Sequence, residues 1–488
     1  MNKRIDLLLI NYLCMNRIGI FTIASFARSK GLSVKIIDGE MPEIKKEIAE
    51  VINEVEVVAV SATTDVIGAA FDICNFTKKL KPDAICVLGG FHATALPEQT
   101  LKEGRFDAVV AGEGEITMVE FVNKIKAGIF PTKTKGTIEK YKGELINNGE
   151  RELISDLDIL PIPAFDLVDF DKYVGIIRHN LGNLKKVAYL LVSRGCPFDC
   201  VFCASAVMWK RKLRFHSNDY IIGMIRKLMR DYYIDGVAFL DDELLVNKEK
   251  ILSLCSSLKD LGIKWECQAR ASSVTPELLK EIKDAGCIQI RFGFESGNDK
   301  ALAFLKRNTI TVEQNRKAVK MCNEAGLVCH GSFIIGYPDE TVESIVDTIN
   351  FIETSGLDFA EVYVLIPYVG IFIYNYCLEN NLLPEKFNWN DFLIESYTGK
   401  NSKQGIIRSR NFTAEQLEQI RKYIEVNVTS KTLGESGLNH KAEIEKILVG
   451  NLSKTEFGYG FKANIILRKL KTGISNPQVV LDKFLGRR

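Results

Sequence analysis

The chain has 488 residues, with 64 basic against 62 acidic, a net charge of +2, 46% hydrophobic and 26% charged residues. That length calls for two or three domains with substantial cores, and the balanced composition excludes a disordered or fibrous chain. Near-zero net charge excludes a strong global field for nucleic acid or an anionic membrane, so partners must be sought locally.

The apolar run Leu7 to Ile10 is broken by Asp6, Asn11 and Arg17, and no small-residue cleavage site follows, so it reads as a buried first strand, not a signal peptide. The longest uncharged run, 362–378, contains Pro367 and Gly370 and is too short for a bilayer-spanning helix. Twelve cysteines are too sparse for a secreted disulfide scaffold. They point to thiols or metal ligands in a reducing, cytoplasmic setting.

Residues 1–135 alternate five apolar runs of strand length, at 5–10, 33–37, 56–61, 84–89 and 108–111, with amphipathic helical stretches. Strands so uniformly apolar are covered on both faces, which predicts an α/β domain with a parallel, flavodoxin/Rossmann-like sheet. Ligands bind beyond the carboxyl ends of such strands. Here those ends read Asp38-Gly39, Ser61-Ala62-Thr63-Thr64, Gly89-Gly90-Phe91-His92 and Gly112-Glu113-Gly114-Glu115. Glycines let backbone approach a ligand, and hydroxyls and free amides can hold a phosphate or ribose; tight turns and helix caps use the same residues.

In order and wording, Ser61-x-Thr63, the run Val87 to Thr94 and Gly112-Glu113-Gly114-Glu115 resemble the cobalamin-binding domain that precedes many radical S-adenosylmethionine enzymes. The resemblance implies cobalamin contacts at Ser61, Thr63, Gly89, Gly90, His92, Gly112, Glu113 and Gly114. The Asp-x-His-x-x-Gly motif that supplies a cobalt ligand elsewhere is missing from a chain with five histidines. The implied cobalamin therefore has no histidine replacing its own base.

Residues 136–185 read as a hairpin or linker, ending in an extended strap around Pro161 and Pro163. Over 186–375 a second alternation predicts strands at 188–193, 236–240, 265–269, 288–294, 329–335 and 361–366, with helices at 218–230, 248–261, 276–285, 312–325 and 341–355. Six βα units make a partial (β/α)6 barrel of the TIM type, with function at the carboxyl mouth.

Cys196, Cys200 and Cys203 form C-x3-C-x2-C in the loop after the first barrel strand. Thiolates at such spacing suit zinc or an iron–sulfur cluster. A structural zinc wants a fourth ligand, and no cysteine supplies it, although Asp199 or His216 would be unusual completions. Three thiolates on a four-iron cube leave one iron open.

The run Ser193 to Ser205 resembles the cluster loop of the radical S-adenosylmethionine superfamily. That resemblance implies a 4Fe–4S cluster whose open iron is chelated by S-adenosylmethionine, which is cleaved reductively to a 5′-deoxyadenosyl radical. It implies cofactor contacts at Phe202 in the loop, at Asp242 and Glu243 in Asp241-Asp242-Glu243, at Arg270, at Glu295 and Ser296, and at Ile335 in the segment flanking adenine. The residue types fit: carboxylates suit the methionyl ammonium, and an arginine fork suits its carboxylate.

Residues 376–488 read as a mostly helical cap, with Thr413 a good N-cap and basic residues from Arg468 to Arg488 on a solvated face or tail. The expectation is methyl transfer from methylcobalamin to carbon or phosphorus of a small molecule, with an external donor such as a flavodoxin or ferredoxin. Oxidative cyclisation or rearrangement, and a non-catalytic corrinoid or iron–sulfur protein, are the alternatives. No residue is assigned as a catalytic acid or base.

Overall fold

The computed structural model describes residues 4–12, 18–174, 184–384, 389, 407–428 and 439–448. Cys14 and the basic run from Arg468 lie outside the described residues.

The N-terminal sheet has strands β1 (Ile5–Tyr12), β2 (Val34–Gly39), β3 (Val55–Ser61), β4 (Ile85–Gly89) and β5 (Ala108–Val110), parallel in the order β2-β1-β3-β4-β5. This is the doubly wound order expected of buried apolar strands. Helices α1 (Ile18–Ser29) and α6 (Gly114–Lys126) pack together, as do α2 (Met41–Val51) and α3 (Ile67–Leu80); the short α4 (Phe91–Ala95) and α5 (Pro97–Glu103) join β4 to β5. The turn-rich stretch after Pro131 folds into an antiparallel hairpin, β6 (Thr137–Tyr141) and β7 (Glu144–Asn147), which pairs onto β5 and extends the sheet to seven strands.

The proline strap is stapled to α1. Ala164 N donates to Phe21 O at 3.0 Å, and Asp166 takes both arms of Arg28 at 2.6 and 2.9 Å. Phe21 meets Tyr173 edge-on at 5.1 Å and Phe165 at 5.6 Å. The Tyr173 hydroxyl then donates to Asp38 at 2.7 Å and accepts from Asn11 Nδ2 at 2.9 Å, crossing the ends of β1 and β2.

The second sheet runs β15-β14-β13-β12-β11-β8, all parallel, from β8 (Val187–Leu190), β11 (Gly236–Phe239), β12 (Lys264–Ala269), β13 (Cys287–Glu295), β14 (Val328–Ile335) and β15 (Phe359–Val364). Helices α7 (Ser205–Trp209), α8 (Asn218–Tyr232), α9 (Lys248–Leu261), α10 (Pro276–Asp284), α11 (Asp299–Leu305), α12 (Val312–Glu324) and α13 (Val342–Thr354) complete the partial barrel. Good N-caps start six of them: Ser217, Asn247, Thr275, Asn298, Thr311 and Thr341 each accept from a first-turn N–H. Beyond α14 (Phe372–Glu379), α15 (Ala414–Asn427) opens with a Thr413 and Gln416 capping box and packs on β15, and α16 (His440–Leu448) packs on α13.

The first barrel strand is shorter than its apolar run. After Leu190 the chain leaves the sheet, and β9 (Ser193–Arg194) pairs antiparallel with β10 (Arg214–Phe215). One continuous core joins the α1 and α6 side of the first sheet, the strap and the outer layer of the barrel. Phe21→Ala should therefore cost about 3–5 kcal/mol and loosen the strap as well. Urea unfolding would measure the loss, and a change below 1 kcal/mol, the scale of a minor repacking, would contradict this packing role.

Candidate functional site

The carboxyl edges of the two sheets meet at a cavity of about 230 Å³. Ser61, Gly89, Gly90 and Glu113 line it from one side, and Ser193, Arg194, Trp209 and His216 from the other.

The cluster loop begins with a buried carboxylate. Two residues past β11, Asp241 Oδ1 accepts from Val192 N at 3.0 Å and from both N and Oγ of Ser193 at 2.5 Å. The bond to Val192 N takes the backbone donor that would otherwise continue the β8 ladder toward β11, and the strand ends at Leu190. Burial pushes Asp241 up to about 7, against the opposing pull of Ser193 and Val192. Asp241 is therefore the support of the loop, while its neighbours face elsewhere.

Gly195 follows with φ +99°, where an added Cβ would strike the carbonyl of Lys212. Only glycine meets both conditions. The loop is pinned at its middle, Val201 N donating to Leu305 O at 3.0 Å and Ile373 N to Val201 O at 3.2 Å. Cys196, Cys200 and Cys203 are free and half-buried on it.

Burial pushes Cys196 up to about 11 and Cys203 to about 12, with Glu243 and Asp242 adding to the effect on Cys196 and Asp242 to that on Cys203. Such thiols become thiolates when a cation compensates the charge. Donors already face the sulfurs: the N–H of Phe198 at Cys196, the N–H of Ser205 at Cys203, and Arg270 Nη1 at 3.6 Å from Cys200. This donor set fits an iron–sulfur cube, whose thiolates sit on separate irons. Among the described residues, no three His, Cys, Asp or Glu side chains converge as a single ion requires. The two conceivable zinc completions are engaged elsewhere, Asp199 with Arg211 and Arg307 at 3.5 and 3.3 Å and His216 with Asp158 at 3.0 Å.

Around the loop, Glu243 Oε1 and Arg270 Nε are buried without partners, as is Asp241 Oδ2 beneath it. The first two belong to an anion and a cation on neighbouring strand ends. Together they complement the ammonium and carboxylate of an amino acid. Burial pushes Glu243 up to about 7 despite its donors. Arg270 is held in place by Thr309 and by the Phe198 ring, 4.2 Å from its guanidinium carbon. Asp242 is engaged, accepting from Ser205 Oγ at 2.6 Å.

Glu295 ends β13 at φ +64°, beside a register shift, a conformation costly for a residue with a Cβ. Lys306 fixes it there at 2.8 Å, also donates to Gly293 O at 3.1 Å, and lies 5.7 Å from the Phe202 ring. Lys306 carries no motif in the sequence, and only the placement of α11 brings it under the loop. Ser296 Oγ bonds to Thr348 Oγ1 at 3.0 Å, and the Ile335 side chain is buried in the core behind β14.

On the opposite edge, Gly90 has φ +93°, and a Cβ there would lie 2.7 Å from Ala62 O. Gly112 and Gly114 also line the cavity, whereas Thr63 and His92 lie outside its lining. His92 instead packs edge-on against Trp389 at 4.7 Å, and burial lowers it to about 4, so it is neutral at pH 7. Both Glu113 oxygens are taken by arginines from the barrel side. This cradle of glycine backbone and apolar wall fits a large planar cofactor's edge. Gly90→Val, whose Cβ would meet the Ala62 carbonyl, should weaken retention of cobalamin. Cobalt content after gel filtration measures it; retention equal to that of the unaltered protein would place the site elsewhere.

Residues 190–352 match the radical SAM superfamily and residues 11–122 the B12 binding domain. The chain is 32% identical over 448 residues to an uncharacterised methyltransferase of Pyrococcus horikoshii, covering 90% of this chain and 94% of that one. It is 29% identical over 302 residues to the anaerobic magnesium-protoporphyrin IX monomethyl ester cyclase of Rubrivivax gelatinosus, covering 60% of this chain but 53% of the cyclase. Its fold is similar to the cobalamin-dependent S-adenosylmethionine radical enzyme OxsB with aqua-cobalamin and S-adenosylmethionine bound, at a TM-score of 0.68 and 17% identity, covering 99% of this chain and 75% of OxsB. With a thiol loop on the mouth of a six-stranded barrel and a glycine-edged sheet facing it, the chain belongs to the cobalamin-binding branch of the radical SAM superfamily.

Proposed function

We propose that this protein is a cobalamin-dependent radical S-adenosylmethionine methyltransferase acting on a small molecule. The observation that carries the reading is the shared cavity: the glycine edge of the first sheet and the residues leading into the three-cysteine loop form one enclosure. When bound, the cluster supplies the electron that cleaves S-adenosylmethionine, and cobalamin carries the methyl group.

The chain's own residues bind, orient and exclude water. Cys196, Cys200 and Cys203 hold the cluster, with the N–H groups of Phe198 and Ser205 and the Arg270 guanidinium offsetting the thiolate charge. Glu243 takes the methionyl ammonium, Arg270 the carboxylate, and the strained turn at Glu295 and Ser296 faces the ribose. Ser61, Gly89, Gly90, Gly112 and Gly114 cradle cobalamin. Alignment of the two centres in a dry enclosure is the protein's main contribution to rate. The electron comes from an external carrier of the flavodoxin or ferredoxin type in the cytoplasm; no described helix is long and apolar enough to cross a membrane.

The match to the cyclase favours a second reading, oxidative ring formation with the same cofactors. Anaerobic reconstitution with iron, sulfide, methylcobalamin, S-adenosylmethionine and dithionite separates the two. Methyl transfer predicts 5′-deoxyadenosine and products heavier by one methyl group in a metabolite panel, whereas cyclisation predicts products lighter by hydrogen. The Cys196, Cys200 and Cys203 alanine variants should lose iron, sulfide and deoxyadenosine but keep cobalamin. A variant that retains the cluster would refute the ligand assignment.

Burial holds Glu243 near 7, so its carboxylate is ionised above that pH and neutral below it. Affinity for S-adenosylmethionine should rise as pH climbs from 6 to 8, by up to about tenfold per unit below the pKa. Glu243→Gln should bind weakly at every pH, with that rise flattened. Calorimetric titration tests this, and an unchanged pH profile in the variant would remove Glu243 from the binding site.

A further inference from the structure

Resting on that proposed function, we infer that Arg194 is a positioning residue: it locks the cluster loop in register with the cobalamin edge of the first sheet. Arg194 stands two residues before Cys196, and its side chain reaches across to the start of α6. Its Nη1 lies 2.6 Å from Glu113 and its Nη2 2.6 Å from Glu115. Arg214, its register partner across the β9 and β10 ribbon, takes the other Glu113 oxygen at 2.9 Å and donates to Ile154 O at 2.6 Å. Trp209 shields both, its ring 5.6 and 5.7 Å from the two guanidinium carbons.

All four charged side chains are nearly buried: Arg194 is 11% exposed, Arg214 10%, and each glutamate 3%. Burial alone would lower Arg194, but Glu115 and Glu113 outweigh it and hold the group above its ordinary value. A buried ion quartet is seldom the most stabilising way to fill an interface, since apolar packing can serve as well or better. Its distinctive property is direction. An arginine fork meeting two carboxylates fixes angle as well as distance.

The ribbon that needs this direction has two residues per strand, too few to hold itself. Asp241 anchors its entry, and the quartet anchors its far side to the other domain. The residues between are the cluster loop. The two acids of Gly112-Glu113-Gly114-Glu115 thus act on cobalamin through Arg194, by setting where the loop stands relative to the sheet edge.

The test uses full-length protein reconstituted anaerobically with iron, sulfide and cobalamin and reduced so that cob(II)alamin and the cluster are both paramagnetic. The readout is the microwave power that half-saturates the cob(II)alamin signal, which a nearby cluster spin raises with steep distance dependence. Arg194→Lys keeps the charge but not the fork, and Glu115→Gln removes one anchor. Both should load iron and cobalamin as the unaltered protein does, while the half-saturation power falls about twofold or more as the separation loosens. Unchanged saturation in both loaded variants would overturn the inference.

If either variant fails to load, hydrogen exchange in the unaltered protein decides. A clamp predicts that the amides of residues 113–115 and 194–196 open as one unit, at a common rate. Rates differing by more than about tenfold would overturn it. Failure of the unaltered protein to bind cobalamin would defeat the proposed function, while the exchange experiment would still judge the clamp.

Discussion

A single buried carboxylate organises the functional half of this molecule. Asp241 is fully buried, and the donors of Val192 and Ser193 converge on its Oδ1 while burial holds the carboxyl up at about 7. Those donors belong to a chain that would otherwise extend a parallel strand. By taking them, Asp241 ends β8 and frees the following residues to turn toward the mouth of the barrel. The short ribbon, the glycine turn at Gly195 and the cysteine loop all follow from that diversion. An isolated buried charge would be prohibitively costly, and three convergent donors convert that cost into geometric specification.

The three consecutive acids at the end of β11 show how environment divides one motif into separate tasks. Asp241 points back under the loop, Asp242 is held by Ser205, and Glu243 keeps an oxygen unpartnered beside Arg270. Their chemistry is almost the same, and their surroundings are not. The same logic applies to the paired acids of the first sheet's last turn, where Gly112, Glu113, Gly114 and Glu115 all line the cavity but the two glutamates are bound by arginines of the barrel.

Much of the fold was legible in the sequence because periodicity is a local property. Five apolar runs gave the parallel core of the first sheet, and six strand–helix units gave the second, with helix starts at Asn218, Lys248, Pro276 and Val312 matching to the residue. The cysteine spacing was equally local. What escaped were features that depend on residues far apart: the end of β8 at Leu190, set by Asp241; the ion pair of Glu295 with Lys306 under the loop; and the reach of Arg194 to Glu113 and Glu115. The stretch after Pro131 was legible as a hairpin or linker, but its attachment to the sheet escaped, since its polar strands gain their place only by pairing with β5. His92 sits beside a promising glycine pair in sequence, yet its ring turns toward Thr64 and Trp389.

The contrast between the two glycines of the first sheet sharpens what a motif does. Gly90 is required by its own backbone, with a positive φ and the Ala62 carbonyl against it, whereas at Gly89 a Cβ would make only an ordinary contact with the Val110 carbonyl. A glycine pair that looks uniform therefore combines a steric necessity at Gly90 with a position, Gly89, where a Cβ would meet only the Val110 carbonyl at 3.9 Å. Both glycines line the same cavity that Arg194 and Ser193 line from the barrel. A glycine-lined edge on one domain and a rigidly oriented loop on the other are complementary requirements: a ligand lying between them can be held at one distance from the thiols only if neither wall can slide. Apolar contact between the domains supplies cohesion without direction. The directional bonds of the buried arginines and carboxylates are what make the enclosure a site of defined geometry.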